Sequence, residues 1–92
     1  MKPESAETLG LQALAWLAGN DEIFPVFLGA SGASAADLKA QASDPAFLAA
    51  VLDFICMNDD WVVAFCDSAG LGYDQPMRAR QALPGGGEMH WT

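Results

Sequence analysis

Trp16-Leu17-Ala18-Gly19-Asn20-Asp21-Glu22-Ile23 and Phe54-Ile55-Cys56-Met57-Asn58-Asp59-Asp60-Trp61 carry one pattern twice, 38 positions apart. Each stretch finishes an apolar helix. Each then offers an asparagine that can cap the next helix, two acids suited to its positive first turn, and a large apolar residue. Between residues 5 and 32 this register gives six identities: Ser5/Ser43, Leu14/Leu52, Asn20/Asn58, Asp21/Asp59, Phe27/Phe65 and Gly32/Gly70. Composition alone would give roughly two. The pattern predicts two similar helical units that bury their apolar faces against each other. Such a duplication describes how a fold is assembled and names no substrate.

Outward from the first junction, Leu9, Ala13, Trp16 and Leu17 recur at the helical period. Leu11, Leu14 and Ala18 widen the stripe, so residues 5–18 read as a helix buried on more than one side, capped by Ser5 or Thr8. Gly19 ends it. The second helix carries Ile23, Phe24, Phe27 and Leu28, and Pro25 requires it to start late or bend, since proline is tolerated only in a first turn. Gly32 fits the left-handed residue after a helix. Ser34-Ala-Ala-Asp37 reads as a capping box for a short third helix to about Ala42.

The second unit opens with Ser43-Asp44-Pro45, a cap followed by proline at the first helical position. It continues through Phe47, Leu48, Val51, Leu52, Phe54 and Ile55, then Asn58-Asp59-Asp60, then a fifth helix with Trp61, Val62 and Phe65. Gly70 and Gly72 close that helix, and Asp74 is the expected cap of a last one from Gln75 to Leu83. One inserted residue after Gly70 sets Leu38-Lys39-Ala40 on Met77-Arg78-Ala79. The expected architecture is therefore all-α: six short helices as two three-helix units, about 5–42 and 43–83, packed with pseudo-twofold symmetry in one domain spanning 1–84. Residues 85–92, opened by three glycines, read as a flexible Gly-rich tail.

The run of an apolar helix, Asn-Asp-acid, a Phe-bearing helix, Gly, and a short helix with Leu-Lys/Arg-Ala leads into Asp44-Pro45-Ala46-Phe47-Leu48-Ala49-Ala50-Val51-Leu52-Asp53-Phe54. It resembles the bacterial family known as domain of unknown function 3572, over roughly residues 5 to 84. The resemblance implies an all-helical fold and, since that family has no established activity, no catalytic or binding residue.

Size and composition set the remaining bounds. The 92 residues suffice for one core, burying roughly 60–65% of the unfolded chain's surface. The longest apolar stretches, 9–18 and 46–55, are too short to cross a bilayer and are broken by Gln12 and Asp53. The first residues lack the cationic start and apolar block of a secretion signal, so the expected compartment is the cytoplasm. Twelve acids against four bases give a formal charge of −8. That charge repels phosphate backbones and anionic lipid, which makes nucleic acid and membranes poor partners.

The chemistry-bearing residues have structural readings. Asp21-Glu22 and Asp59-Asp60 could approach a divalent cation across the two units. They lack calcium-loop spacing, and capping already accounts for them. Cys56 and Cys66 fall about two residues before and eight after a helical turn. That offsets them by roughly 9 Å at about 1.5 Å per residue, too far for a disulfide. They are expected to be free, buried thiols. His90 stands behind the glycines and near neither cysteine in sequence, so no nucleophile-base pair is fixed. No cofactor or metal site is expected.

Phe27 to Lys39 has the outline of a helix-turn-helix, and Lys39, Arg78 and Arg80 fall on third helices. A helix C-terminus favours cations equally well. Trp16, Phe54 and Trp61 are expected in the core. Trp91 and Met89, beyond the glycines, either fold back onto a groove or meet a partner. The expected function is a non-enzymatic protein-protein interaction or adaptor module, its partner an unknown protein or a second copy in a homodimer. A helix-turn-helix-derived regulator and a thiol enzyme are the rival classes.

Overall fold

The computed structural model describes residues 1–83 of the chain. Among them are six α-helices and no strand: α1 (Pro3–Ala18), α2 (Phe24–Ser31), α3 (Leu38–Gln41), α4 (Pro45–Cys56), α5 (Asp59–Ala69) and α6 (Gln75–Ala82). A single 3-10 turn over Ala35–Asp37 leads into α3.

Most boundaries follow from the residues that cap them. Asn58, in extended backbone, accepts from the Asp60 N–H at 2.9 Å, and α5 starts at once. Asn20 accepts from both Glu22 and Ile23 N–H groups at 3.1 Å, but Pro25 delays α2 until Phe24, so residues 21–23 form a turn. Asp44 accepts from the Ala46 N–H at 3.0 Å ahead of Pro45. Gly32 and Gly70 end α2 and α5 with φ of 75° and 71°, a conformation that costs glycine least.

Three expected caps differ. α1 begins at Pro3 rather than at Ser5, because proline at a first helical position costs no hydrogen bond, and the Thr8 hydroxyl donates to the Glu4 carbonyl within the helix. The Ser34 hydroxyl donates to the Asp37 carboxylate at 2.8 Å instead of accepting from backbone, and the segment opens as a 3-10 turn. Asp74 precedes α6 without capping it, since its carboxylate is taken by Arg78 at 2.9 Å one turn on.

The core lies where α1, α4 and α6 meet. Ala6, Leu9, Ala13, Leu14 and Leu17 of α1 face Leu48, Ala49, Val51, Leu52 and Ile55 of α4, with Ala79 and Leu83 closing one end. The two long helices approach closely because position 10 has no side chain: a Cβ there would stand 2.9 Å from Leu48 Cβ. Phe54 is buried, whereas Trp16 and Trp61 are partly buried against the core.

Two pairs of helix ends and two ring contacts follow a common spacing. α1 and α4 end at Ala18 and Cys56, and α2 and α5 at Ser31 and Ala69, each pair 38 apart. Trp16 meets Phe65 with ring centroids 5.9 Å apart, and Phe54 meets Phe27 at 5.2 Å. Each of these contacts is the other with its two halves exchanged. Gly10 and Leu48, also equivalent, face each other. The third helices differ in length and packing: α6 has eight residues and packs on α1 and α4, while α3 has four, none buried, and meets chiefly the turn before it.

Candidate functional site

α2 and α4 flank an open groove of about 430 Å³. From α4 come Ala50, Asp53, Phe54 and Met57, a spacing of three, four and seven that sets them on one helical face. From α2 come Phe27, Ala30 and Ser31, again three and four apart. Phe27 and Phe54 form its aromatic floor in an edge-to-face pair at 68°, with Phe47 against Phe27 at 6.0 Å and Trp61 stacked on Phe54 at 4.8 Å. Ala30, Ala50 and Ser31 are small, and their size leaves the space open. Met57, at the end of α4, is 73% exposed and forms an apolar wall. A soft, adaptable thioether over an aromatic floor suits an inserted apolar or aromatic side chain.

Asp53 is the charged member of the rim, and its charge is matched. Arg80 of α6 reaches it with Nε at 2.6 Å from Oδ1 and Nη2 at 2.7 Å from Oδ2, a two-pronged pair. The Arg80 side chain is only 12% exposed, so its stem packs as apolar surface while its head neutralises the rim. The groove therefore presents little net charge in a protein that is acidic overall.

The two thiols are free, as their spacing implies. Cys66 is buried, and its Sγ–H donates to the Gly72 carbonyl at 3.4 Å. Cys56 is half-buried rather than buried, because it ends α4 at the surface. Burial pushes both thiols above their ordinary pKa. The carboxylates of Asp53, beside Cys56, and of Asp67, beside Cys66, push the same way, while Arg80 pulls Cys56 back in part. This is the reverse of what activates a nucleophilic cysteine. Among the described residues no three His, Cys, Asp or Glu side chains gather as metal ligands. The junction asparagines beside the acid pairs are occupied as caps.

The basic residues that suggested a nucleic-acid reader are largely engaged. Arg78 pairs with Asp74 and Arg80 with Asp53. α3, in the place of a recognition helix, is a single turn of four residues. No helix among the described residues is long and apolar enough to cross a membrane. Trp91 and Met89, the expected partner contacts, lie outside the described residues, as does His90.

The groove and the Asp53–Arg80 pair were not anticipated from sequence. One signal for the pair was available: an aspartate in the middle of an apolar helix needs a partner when the helix is buried on most faces. The groove had no such signal, because alanines at helical spacing fill most sites as readily as they leave one empty.

No curated protein and no solved structure matches the chain. The model of the family described as Protein of unknown function (DUF3572) matches residues 3–86, from the start of α1 to beyond α6, and the chain belongs to that family.

Proposed function

We propose that this chain is a non-enzymatic protein-protein interaction module, built from two duplicated three-helix units, whose binding site is the groove between α2 and α4. The observation that carries the reading is the aromatic floor beneath an exposed methionine, with a rim already neutralised by Arg80. A site of that kind takes one large apolar anchor from a partner, which is how most interface energy is concentrated. Elevated thiol pKa values and engaged arginines favour this over thiol chemistry or phosphate binding. The duplication is supported by the exchanged ring pairs, Trp16–Phe65 and Phe54–Phe27, since a twofold contact places residue i on j and j on i.

A photo-crosslinking residue at Ala50, in the groove, tests the site. Gln12, its exposed counterpart 38 positions earlier on α1, serves as control. In cells, Ala50 should yield a discrete adduct that Gln12 does not, and a product of twice the chain mass would identify a second copy as the partner. No adduct from Ala50, or the same adducts from both positions, would remove the groove as the binding site.

A further inference from the structure

We propose that the groove between α2 and α4 receives a basic amphipathic helix from another protein, a large apolar residue filling the groove and lysines or arginines gripping its acidic surround. This rests on the reading of the groove as a site for an apolar anchor and adds the charge of the partner. The lining comes from the ends of two helices: Ala30 and Ser31 lie in the last turn of α2, Asp53 and Phe54 in the last turn of α4, and Met57 follows as its C-cap. A helix C-terminus carries about half a negative charge, and neither last turn holds a base to offset it. Beyond Met57 come Asn58, Asp59 and Asp60, both acids exposed. With consecutive Cα atoms about 3.8 Å apart, the two acids stand within roughly 11 Å of the methionine wall. The positive first turn of α5 offsets only about half a charge of the two.

No base answers these charges from the helices around the groove. α2, α4 and α5 contain no lysine or arginine. Arg80 is committed to Asp53 and Arg78 to Asp74, while Lys2 precedes α1 and Lys39 sits on α3. The groove itself is thus close to neutral and its outer end is acidic, the arrangement that takes an apolar anchor with cationic neighbours.

Size and charge together select the occupant. From Ala50 to Met57 the α4 face runs about 10.5 Å at helical rise, the length of two turns of an apposed helix. A second copy of this chain suits the surround poorly, since each copy brings a formal charge of −8. A helix with bases one turn from its anchor gains attraction where a second copy meets repulsion.

The test measures binding of fluorescent helical peptides of about twelve residues to the full-length protein by anisotropy. The first carries tryptophan and leucine about four positions apart on one face with lysines beside them, the second glutamines in place of the lysines, and the third alanine in place of the tryptophan. The lysine peptide should bind best, and either replacement should weaken it about fivefold or more. Asp59→Asn combined with Asp60→Asn should weaken it roughly two- to tenfold, a loss that shrinks as salt is raised. Asp21→Asn with Glu22→Gln removes the same formal charge ahead of α2 and should change binding little. Ala50→Gln, a neutral filler at an exposed position, should abolish it. Equal effects of the two acid pairs, or binding indifferent to Ala50→Gln, would place the peptide on the acidic surface at large and overturn the proposal. Equal binding of the lysine and glutamine peptides, lost in Ala50→Gln, keeps the groove as an apolar site and discards the basic partner. A dimer dispersed by Ala50→Gln assigns the groove to a second copy, and no binding of any peptide up to about millimolar concentration removes both readings. Should Ala50→Gln fail to fold, the two acid-pair variants and the tryptophan-free peptide decide.

Discussion

Position 10 shows how one absent side chain sets the distance between the two longest helices. Alanine there would gain about 0.8–1 kcal/mol of helix propensity. Its Cβ would meet Leu48 Cβ at 2.9 Å, however, and an atom next to the backbone cannot swing aside. Overpacking of this kind costs about 1–3 kcal/mol. Gly10→Ala is therefore expected to lower stability by up to about 2 kcal/mol, read as a reduced midpoint in urea; an unchanged or raised midpoint would mean the helices separate freely. The junction asparagines act on the same scale. Asn58→Ala should cost about 0.5–2 kcal/mol, equally with and without divalent cations, because its oxygen holds the Asp60 N–H rather than an ion. A metal-dependent difference would count against the cap.

Between elements, the Asp53–Arg80 pair joins α4 to α6 across 27 residues. Its geometry is two-pronged and Arg80 is largely buried, but Asp53 is 54% exposed and water weakens the attraction. A double-mutant cycle with Asp53→Ala and Arg80→Met should give a coupling of about 1 kcal/mol. Arg80→Met keeps the packed stem, so its cost isolates the loss of the charged head. A coupling indistinguishable from zero would reduce the pair to a surface contact. The helices themselves were legible in the sequence where strong local signals exist: Pro45 behind Asp44, Asn58 before two acids, and Gly32 and Gly70 in left-handed turns. The first helix starts at Pro3 rather than Ser5 because proline loses no hydrogen bond there, and the last starts at Gln75 as expected, although the Asp74 carboxylate pairs with Arg78 instead of capping.

At the scale of the whole molecule, the titrating groups with raised pKa among the described residues are Cys56, Cys66 and Tyr73, the last because its hydroxyl donates to the Asp67 carboxylate at 2.8 Å. The fold thus holds these protons more tightly than the unfolded chain does. Below the ordinary thiol value of 9.0 the unfolded thiols are also protonated and the thiol contribution is complete. As pH rises through the folded values that contribution is lost, so stability falls on the alkaline side. Urea midpoints from roughly pH 8 to 10 should decline. Cys66→Ala, although less stable at neutral pH from a lost buried group, should decline less steeply; equal slopes would show that Cys66 does not contribute.

The sequence by itself determined the helices and their order, because caps, glycine stops and apolar spacing act within a few residues of chain. It also gave free thiols, from axial offset alone. Only the tertiary structure decided that α6 packs into the body while α3 stays a single exposed turn, although the two align in sequence as Leu-Lys-Ala on Met-Arg-Ala. The difference lies in which neighbours each can reach: Arg80 finds Asp53 and Ala79 finds the core, whereas α3 is bound at once to the start of α4. The groove between α2 and α4 belongs to the same class. It exists because small residues on two helices, distant in sequence, face one another after packing, and no local pattern in either helix carries that fact.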